Sequence, residues 1–202
     1  NNIISVSILP IKYITESIVG DKWEVNCVMP DGKGHTFYDP SPKDLSLITK
    51  SKIYFKTGSI GFEDAMEKKF SNITKSCKFI DISKNIEKIG GHYHDGVYHG
   101  GDPHYWLSPK RAIIIASSIC ENIINIDSVN KNFYINNFKY FKSKMEEVDS
   151  VVYNLLSPLK GKYFLVYHPS LTYIADDYKL NQIAIEQDGK EPSAYYMASV
   201  ID

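Results

Sequence analysis

The chain lacks any apolar run approaching the roughly 20 residues that a membrane-spanning helix needs. Its longest candidate, around residues 112–118, reads as one face of a buried helix. It also lacks an excess of either charge: 23 basic residues stand against 24 acidic ones, a formal net charge of −1. That balance gives no electrostatic footprint for nucleic acid, and no long run of one charge marks a charged tail. Cysteine is scarce. Cys27, Cys77 and Cys120 form an odd set without CxxC spacing in apolar strand or helix contexts, so they read as three buried free thiols and not as a thiolate metal site. No two of the six histidines stand at i, i+4 on one helix, which excludes a metalloprotease helix. A Ser-His-Asp or paired-carboxylate signature is missing too. The sequence opens Asn1-Asn2-Ile3 with no methionine, which implies either a removed signal segment or a trimmed chain.

What is present is an ordinary globular composition, 43% hydrophobic and 23% charged over 202 residues, enough for one large domain or two small ones. Residues 3–9 read as a buried strand closed by Pro10, and 11–19 as a helix stopped by Gly20. Residues 23–29 alternate as a strand and run into Pro30-Asp31-Gly32-Lys33-Gly34, a loop signal. Ser41-Pro42 supplies a cap and a first-turn proline for a helix to about residue 50. Strands follow at 52–56 and 78–82, with a helix at 62–70 between them. A loop rich in glycine and histidine spans 90–104, and Ser108-Pro109 repeats the cap-and-proline signal before a helix to about 124. Strand and helix alternate four times, which predicts a parallel sheet covered by helices.

A different element comes next. Tyr134, Phe138, Phe141, Met145, Val148, Val152 and Leu155 recur at spacings of 4, 3, 4, 3, 4 and 3, a helical apolar stripe. The helix over residues 131–156 would be roughly 40 Å long at ~1.5 Å per residue. A coiled coil is the rival reading, but a single seam without clear flanking charge pairs favours a rigid strut packed along two lobes. After Pro158 and Gly161 the alternation resumes with strands at 163–167 and 182–186, a helix at 170–178 and a further helix opening at Pro192-Ser193. Two strands and two helices cannot close a core; they leave a sheet edge and an apolar face uncovered. The expectation is a C-terminally truncated lobe, or one completed by a partner.

The histidines are placed informatively. His35, His104 and His168 each fall past the carboxyl end of a predicted parallel strand, where open α/β sheets bind ligands. If two lobes face each other across the strut, His35 and His104 come from one and His168 from the other. Three imidazoles suit Zn²⁺ in a tetrahedral site, whereas Mn²⁺ or Ca²⁺ prefers carboxylates. Singly, each of the three reads as a turn, loop or strand-end histidine; as a set, placed alike, they read as a metal site. His92, His94 and His99, beside Asp95, lie in the glycine-rich loop and read either as a mobile metal-gathering loop or as a polar loop without function.

These segments carry a resemblance. Gly34-His35-Thr36-Phe37-Tyr38-Asp39-Pro40-Ser41-Pro42 resembles the first-ligand segment of the metal-binding class of ABC solute-binding proteins, and Gly58-Ser59-Ile60-Gly61-Phe62-Glu63 the segment after their third strand. Asp102-Pro103-His104-Tyr105-Trp106-Leu107-Ser108-Pro109 is similar to their second-ligand motif, and Tyr167-His168-Pro169-Ser170 with Tyr173-Ile174-Ala175-Asp176 to the third. Asp188-Gly189-Lys190-Glu191-Pro192-Ser193 resembles a motif near the start of the last third. Order and spacing agree along the whole chain.

The resemblance implies an α/β fold of two Rossmann-like lobes with parallel sheets joined by one long helix, the second lobe incomplete. The expected division is an N-terminal lobe at 1–125, the long connecting helix at 126–158 and a partial C-terminal lobe at 159–202. It implies metal held in the interlobe cleft by His35, His104 and His168, with His92, His94, Asp95 and His99 as an accessory gathering loop. It further implies a non-enzymatic protein of the periplasm or outer face of the cell envelope. Such a protein hands metal to an ABC transporter permease, and a lipid on a removed N-terminus is one means of anchoring it. Manganese-type members carry Glu at the third ligand; His168 there points to Zn²⁺ over Mn²⁺. The family supplies a fourth ligand, an Asp or a water, from a region beyond this chain; Glu63 and Glu186 are loop carboxylates that could stand in for it. A three-His zinc hydrolase, or a metal-independent adhesin-like interaction protein, are the competing functions.

Overall fold

The computed structural model describes residues 2–30, 32, 38–71, 77–90, 92–94, 97–99 and 101–186, with the backbone alone at 71, 92–94 and 97–99. Four parallel strands, β1 (Ile3–Val6), β2 (Glu24–Cys27), β3 (Ile53–Lys56) and β4 (Lys78–Asp81), lie in the order β2-β1-β3-β4. Helices α1 (Leu9–Val19), α2 (Pro42–Thr49), α3 (Gly61–Ser71) and α4 (Pro109–Ile126) connect or follow them. All four residues of β1 are buried, as expected of a strand inside a parallel sheet covered on both faces. Along β3 the side chains alternate between two cores. Ile53 and Phe55 join Ile4, Val6 and the buried faces of α1 and α4, while Tyr54 packs with Ile48, Met66 and Phe70 of α2 and α3. Each fully buried Ile or Phe of this kind contributes about 1.5–3 kcal/mol.

Pro10 corrects the first expectation. The strand ends at Val6, and Pro10 lies in the first turn of α1, where a missing N–H costs nothing. At Ser41 the cap expectation holds in full. The hydroxyl accepts from Asp44 N, and the Asp44 carboxylate accepts from Ser41 N at 2.9 Å. In α4 the buried set Ala112, Ile115, Ala116, Ile119, Cys120 and Ile123 forms one helical face.

The long helix α5 (Lys131–Leu156) follows. Its first half packs on the first core: Tyr134 is fully buried, and Phe133, Phe138, Phe141 and Met145 pack against the cluster. Tyr134 is fixed by polar bonds as well, accepting from Trp23 Nε1 at 3.0 Å and donating to Asp127 Oδ2 at 2.6 Å. The stripe fails in the second half, where Val148 and Leu155 are exposed. Beyond α5, β7 (Tyr163–Val166) and β8 (Asn181–Ala184) pair in parallel around α6 (Thr172–Tyr178). Tyr163, Leu165 and Tyr167 are exposed, consistent with an incompletely covered sheet among the described residues. The helix expected from Pro192 lies outside the described residues.

The 90–104 segment is not only loop: β5 (His92–His94) and β6 (Val97–His99) pair antiparallel, with His92 opposite His99. Three-residue strands are too short to leave a periodic signal.

The α6 helix is tied to the first core through α4. Arg111 donates to Asp177 Oδ1 at 2.6 Å and Asp176 Oδ2 at 3.0 Å, its guanidinium lies 4.6 Å from the Tyr173 ring centroid, and Ser108 donates to Asp177 Oδ2 at 2.5 Å. A paired, largely buried Arg of this kind joins the elements directionally.

At the carboxyl end of β3, Gly58 has φ +65°, and a Cβ there would meet the Asp81 carboxylate at 2.5 Å. Asp81 is held by Ser83 N at 2.8 Å and the Ser83 hydroxyl at 2.7 Å, so it cannot simply swing away. Gly58→Ala is expected to lose about 1–3 kcal/mol of stability, measured by urea denaturation.

Candidate metal centre

In the order β2-β1-β3-β4 the connections diverge between β1 and β3, the usual ligand crevice of a doubly wound sheet. Here a side chain fills it. Glu63, from the first turn of α3, accepts from the Ser7 hydroxyl just past β1, and the amides of Thr57 and Gly58 just past β3 donate to it at 2.7 Å each. Burial pushes its pKa up, and these donors act against that shift. With its oxygens committed to Ser7, Thr57 and Gly58, Glu63 serves the fold and is not available as a fourth ligand.

A short 3-10 turn, His104–Leu107, is laid over this end of the sheet. Tyr105 is fully buried and donates to the Thr57 carbonyl at 2.8 Å, which pins the turn to β3. Just upstream, Gly101 lets two backbone segments meet: a Cβ there would lie 2.5 Å from the Ile89 carbonyl oxygen. The Asp102 amide donates to that same oxygen at 2.8 Å. Asp102 is thereby fixed beside His104. Its Oδ1 accepts from the His104 amide at 2.7 Å and faces His104 Nδ1 at 2.8 Å. Burial raises the Asp102 pKa, but bonds from His104 and Thr172 outweigh burial and leave it below the ordinary carboxylate value.

His168 comes from the other sheet, two residues beyond β7. Its Nδ1 faces Glu186 Oε2 at 3.1 Å, and the Glu186 amide donates to the Tyr167 carbonyl at 2.8 Å, so the ends of β7 and β8 hold the pair together. The two imidazoles meet edge to face, 83° between planes, with Nε2 to Nε2 at 3.3 Å. His104 is buried at 8% side-chain exposure and His168 is open to the cleft at 40%.

The proton positions follow. An ionised carboxylate only accepts, so each Nδ1 bears the hydrogen and each Nε2 its lone pair. Two lone pairs 3.3 Å apart repel unless a cation, a proton or a metal ion, lies between them. Two ligands of a tetrahedral Zn²⁺ at ~2.0–2.1 Å from the ion are themselves about 3.3–3.4 Å apart.

Of the expected ligands, His104 and His168 are brought together, and His35 lies outside the described residues. Among the described residues no group of three or more His, Cys, Asp or Glu side chains is placed to hold an ion. Asp95 is outside the described residues; the backbone at 92, 94 and 99 is in the β5–β6 hairpin, whose register puts the three positions on one face. The cysteines take no part: Cys77 and Cys120 are buried, Cys27 is half-buried, all three are free, and burial pushes Cys77 to about 12 and Cys27 to about 11. Sequence reasoning missed the partners of Nδ1. Asp102 carries a signal, standing two residues before His104 within the motif; Glu186 is 18 residues from His168 and carries none.

A family model described as zinc-uptake complex component A, periplasmic (ZnuA), matches residues 4–202. The high-affinity zinc uptake system protein ZnuA of Bacillus subtilis is 27% identical over 202 residues, covering 95% of this chain and 63% of that protein. A crystal structure of ZnuA superposes with a TM-score of 0.88 at 32% identity, covering all of this chain and 76% of that one. A Mn-bound periplasmic metal-binding protein of candidatus Liberibacter asiaticus shares the fold at a TM-score of 0.84 and 21% identity. The chain spans between 41% and 64% of the length of the first curated relatives it matches. The chain belongs to the ZnuA family, a family of extracytoplasmic metal-binding proteins and not of enzymes.

Proposed function

We propose that this protein is an extracytoplasmic zinc-binding component of an ABC-type importer, capturing Zn²⁺ between two lobes and handing it to a membrane permease. The ligands are His35, His104 and His168. The lobes are residues 1–125 and 159–202, and the connecting segment 126–158 is built on α5. The observation that carries this reading is the 3.3 Å approach of two imidazole Nε2 atoms whose Nδ1 atoms each face a carboxylate. Carboxylate–imidazole pairs of this type orient ligating histidines and raise their basicity. Zn²⁺ is favoured over Mn²⁺ because a set of imidazoles suits a borderline ion, while a harder one calls for oxygen donors. Glu186 acts as the partner of His168, not as a ligand. His92, His94, Asp95 and His99 gather metal weakly.

Replacing His35, His104 or His168 with Ala is expected to cost more zinc affinity than the roughly 10–100-fold typical of losing an outer partner. Replacing His92, His94 and His99 together leaves the primary affinity nearly unchanged. Titration calorimetry, with melts in the presence and absence of Zn²⁺, reads both, since an ion bound only by the folded state raises the midpoint. The reverse ranking contradicts the assignment. Asp102→Asn, which still reaches Nδ1 but no longer offers a charged acceptor, is expected to weaken zinc binding about 10–100-fold. Affinity falls as pH drops below about 6, because protons compete for the imidazoles; competition with a chelator between pH 7 and 5 measures this, and a flat response contradicts imidazole ligation.

A further inference from the structure

A hydrogen-bond chain runs from the second sheet to the ligand of the first lobe. The Leu171 amide donates to Gln182 Oε1 at 2.8 Å, which leaves Gln182 Nε2 to donate to Thr172 Oγ1 at 3.1 Å. With its oxygen accepting there, the Thr172 hydroxyl donates to Asp102 Oδ2 at 2.5 Å. The other oxygen of that carboxylate faces His104 Nδ1. The donors run from the backbone amide at the start of α6 as far as the Asp102 carboxylate, which on its other oxygen accepts from the His104 Nδ1–H.

We propose that Thr172 is a positioning residue for metal binding: from α6 it orients the Asp102 carboxylate, which sets the tautomer and aim of His104. The proposal rests on His104 being a metal ligand. Asp102's main chain is already fixed, its amide by the Ile89 carbonyl and its carbonyl by Tyr173 Oη at 2.7 Å. The carboxylate is held on Oδ1 by the His104 amide at 2.7 Å, and on Oδ2 by Thr172, its only bond from the second lobe's side among the described residues. The same segment carries His168: the Ser170 amide donates to the His168 carbonyl at 2.8 Å, immediately before α6 begins. The placement of His168 and the orientation of His104 are therefore joined through α6. Docking the second lobe prepares both ligands in one step, and a chain of this sort couples two sites only if its members share one arrangement.

The test uses Thr172→Val, which keeps the shape and removes the hydroxyl, and Thr172→Ser, which keeps the hydroxyl. In the full chain, Val is expected to lower zinc affinity by about 10-fold, with Ser close to the parent. Nitrogen-15 NMR of the metal-free protein reads the His104 ring directly; the share with the proton on Nδ1 is expected to fall in the Val variant and to stay in the Ser variant. If Val does not fold, Thr172→Ala is read in the same way. An affinity loss with the His104 tautomer unchanged, or unchanged affinity in the variant lacking the hydroxyl, overturns the proposal. His104→Ala separates the two levels: if it leaves zinc binding intact, the site assignment itself fails, and if it abolishes binding while Thr172→Val does nothing, only the relay fails.

Discussion

Two nitrogen lone pairs held 3.3 Å apart demand positive charge between them, and the rest of this molecule is arranged so that they are held there. Neither ring is free to turn over and offer its N–H instead. Asp102 occupies Nδ1 of His104 and Glu186 occupies Nδ1 of His168, and each carboxylate is fixed by its own backbone. The preference for a cation is thus built in at the level of hydrogen-bond direction, before any ion is considered. Such preorganisation favours cation binding, because groups already aimed need not be ordered at the moment of capture.

That arrangement depends in turn on what fills the crevice of the first sheet. The divergence of chain between β1 and β3 is where a doubly wound fold accepts a nucleotide or other large ligand. Here Glu63 bridges Ser7, Thr57 and Gly58, and Tyr105 bonds the Thr57 carbonyl beside it. The usual ligand site has become a foundation on which the His104 turn rests. The buried carboxylate is tolerated because four donor groups, two of them backbone amides, replace the water it gives up.

Between the lobes the contacts are of two kinds. The first half of α5 is anchored by apolar packing and by the Trp23–Tyr134–Asp127 bonds. Beyond the anchor, Tyr173 of α6 is buried in the same core, and polar links add to it: Arg111 and Ser108 to Asp176 and Asp177, Tyr178 to Asp149 at 2.7 Å, and Thr172 to Asp102. Polar links are directional, so they specify how α6 sits as well as that it sits, and α6 adjoins both histidines.

The alternating strands and helices, the 131–156 helix, the caps at Ser41 and Ser108 and the placement of His104 and His168 past strand ends were all legible in the sequence, because they rest on local periodicity and on short motifs. Pro10 was misassigned because a proline both ends strands and opens helices, and only the turn geometry distinguishes them. The β5–β6 hairpin was invisible, since three residues carry no period. The stripe on α5 was real in period but mistaken in extent, because a pattern of apolar residues does not say what packs against them. By itself, then, the sequence determined most of the elements and the family, and singled out His104 and His168, which the fold brings together. Only the tertiary structure decided that Glu63 supports the fold, that Glu186 faces a histidine 18 residues away, and that Thr172 meets Asp102 across 70. Side-chain pairing across such separations depends on how lobes dock, and neither propensity nor spacing carries that information.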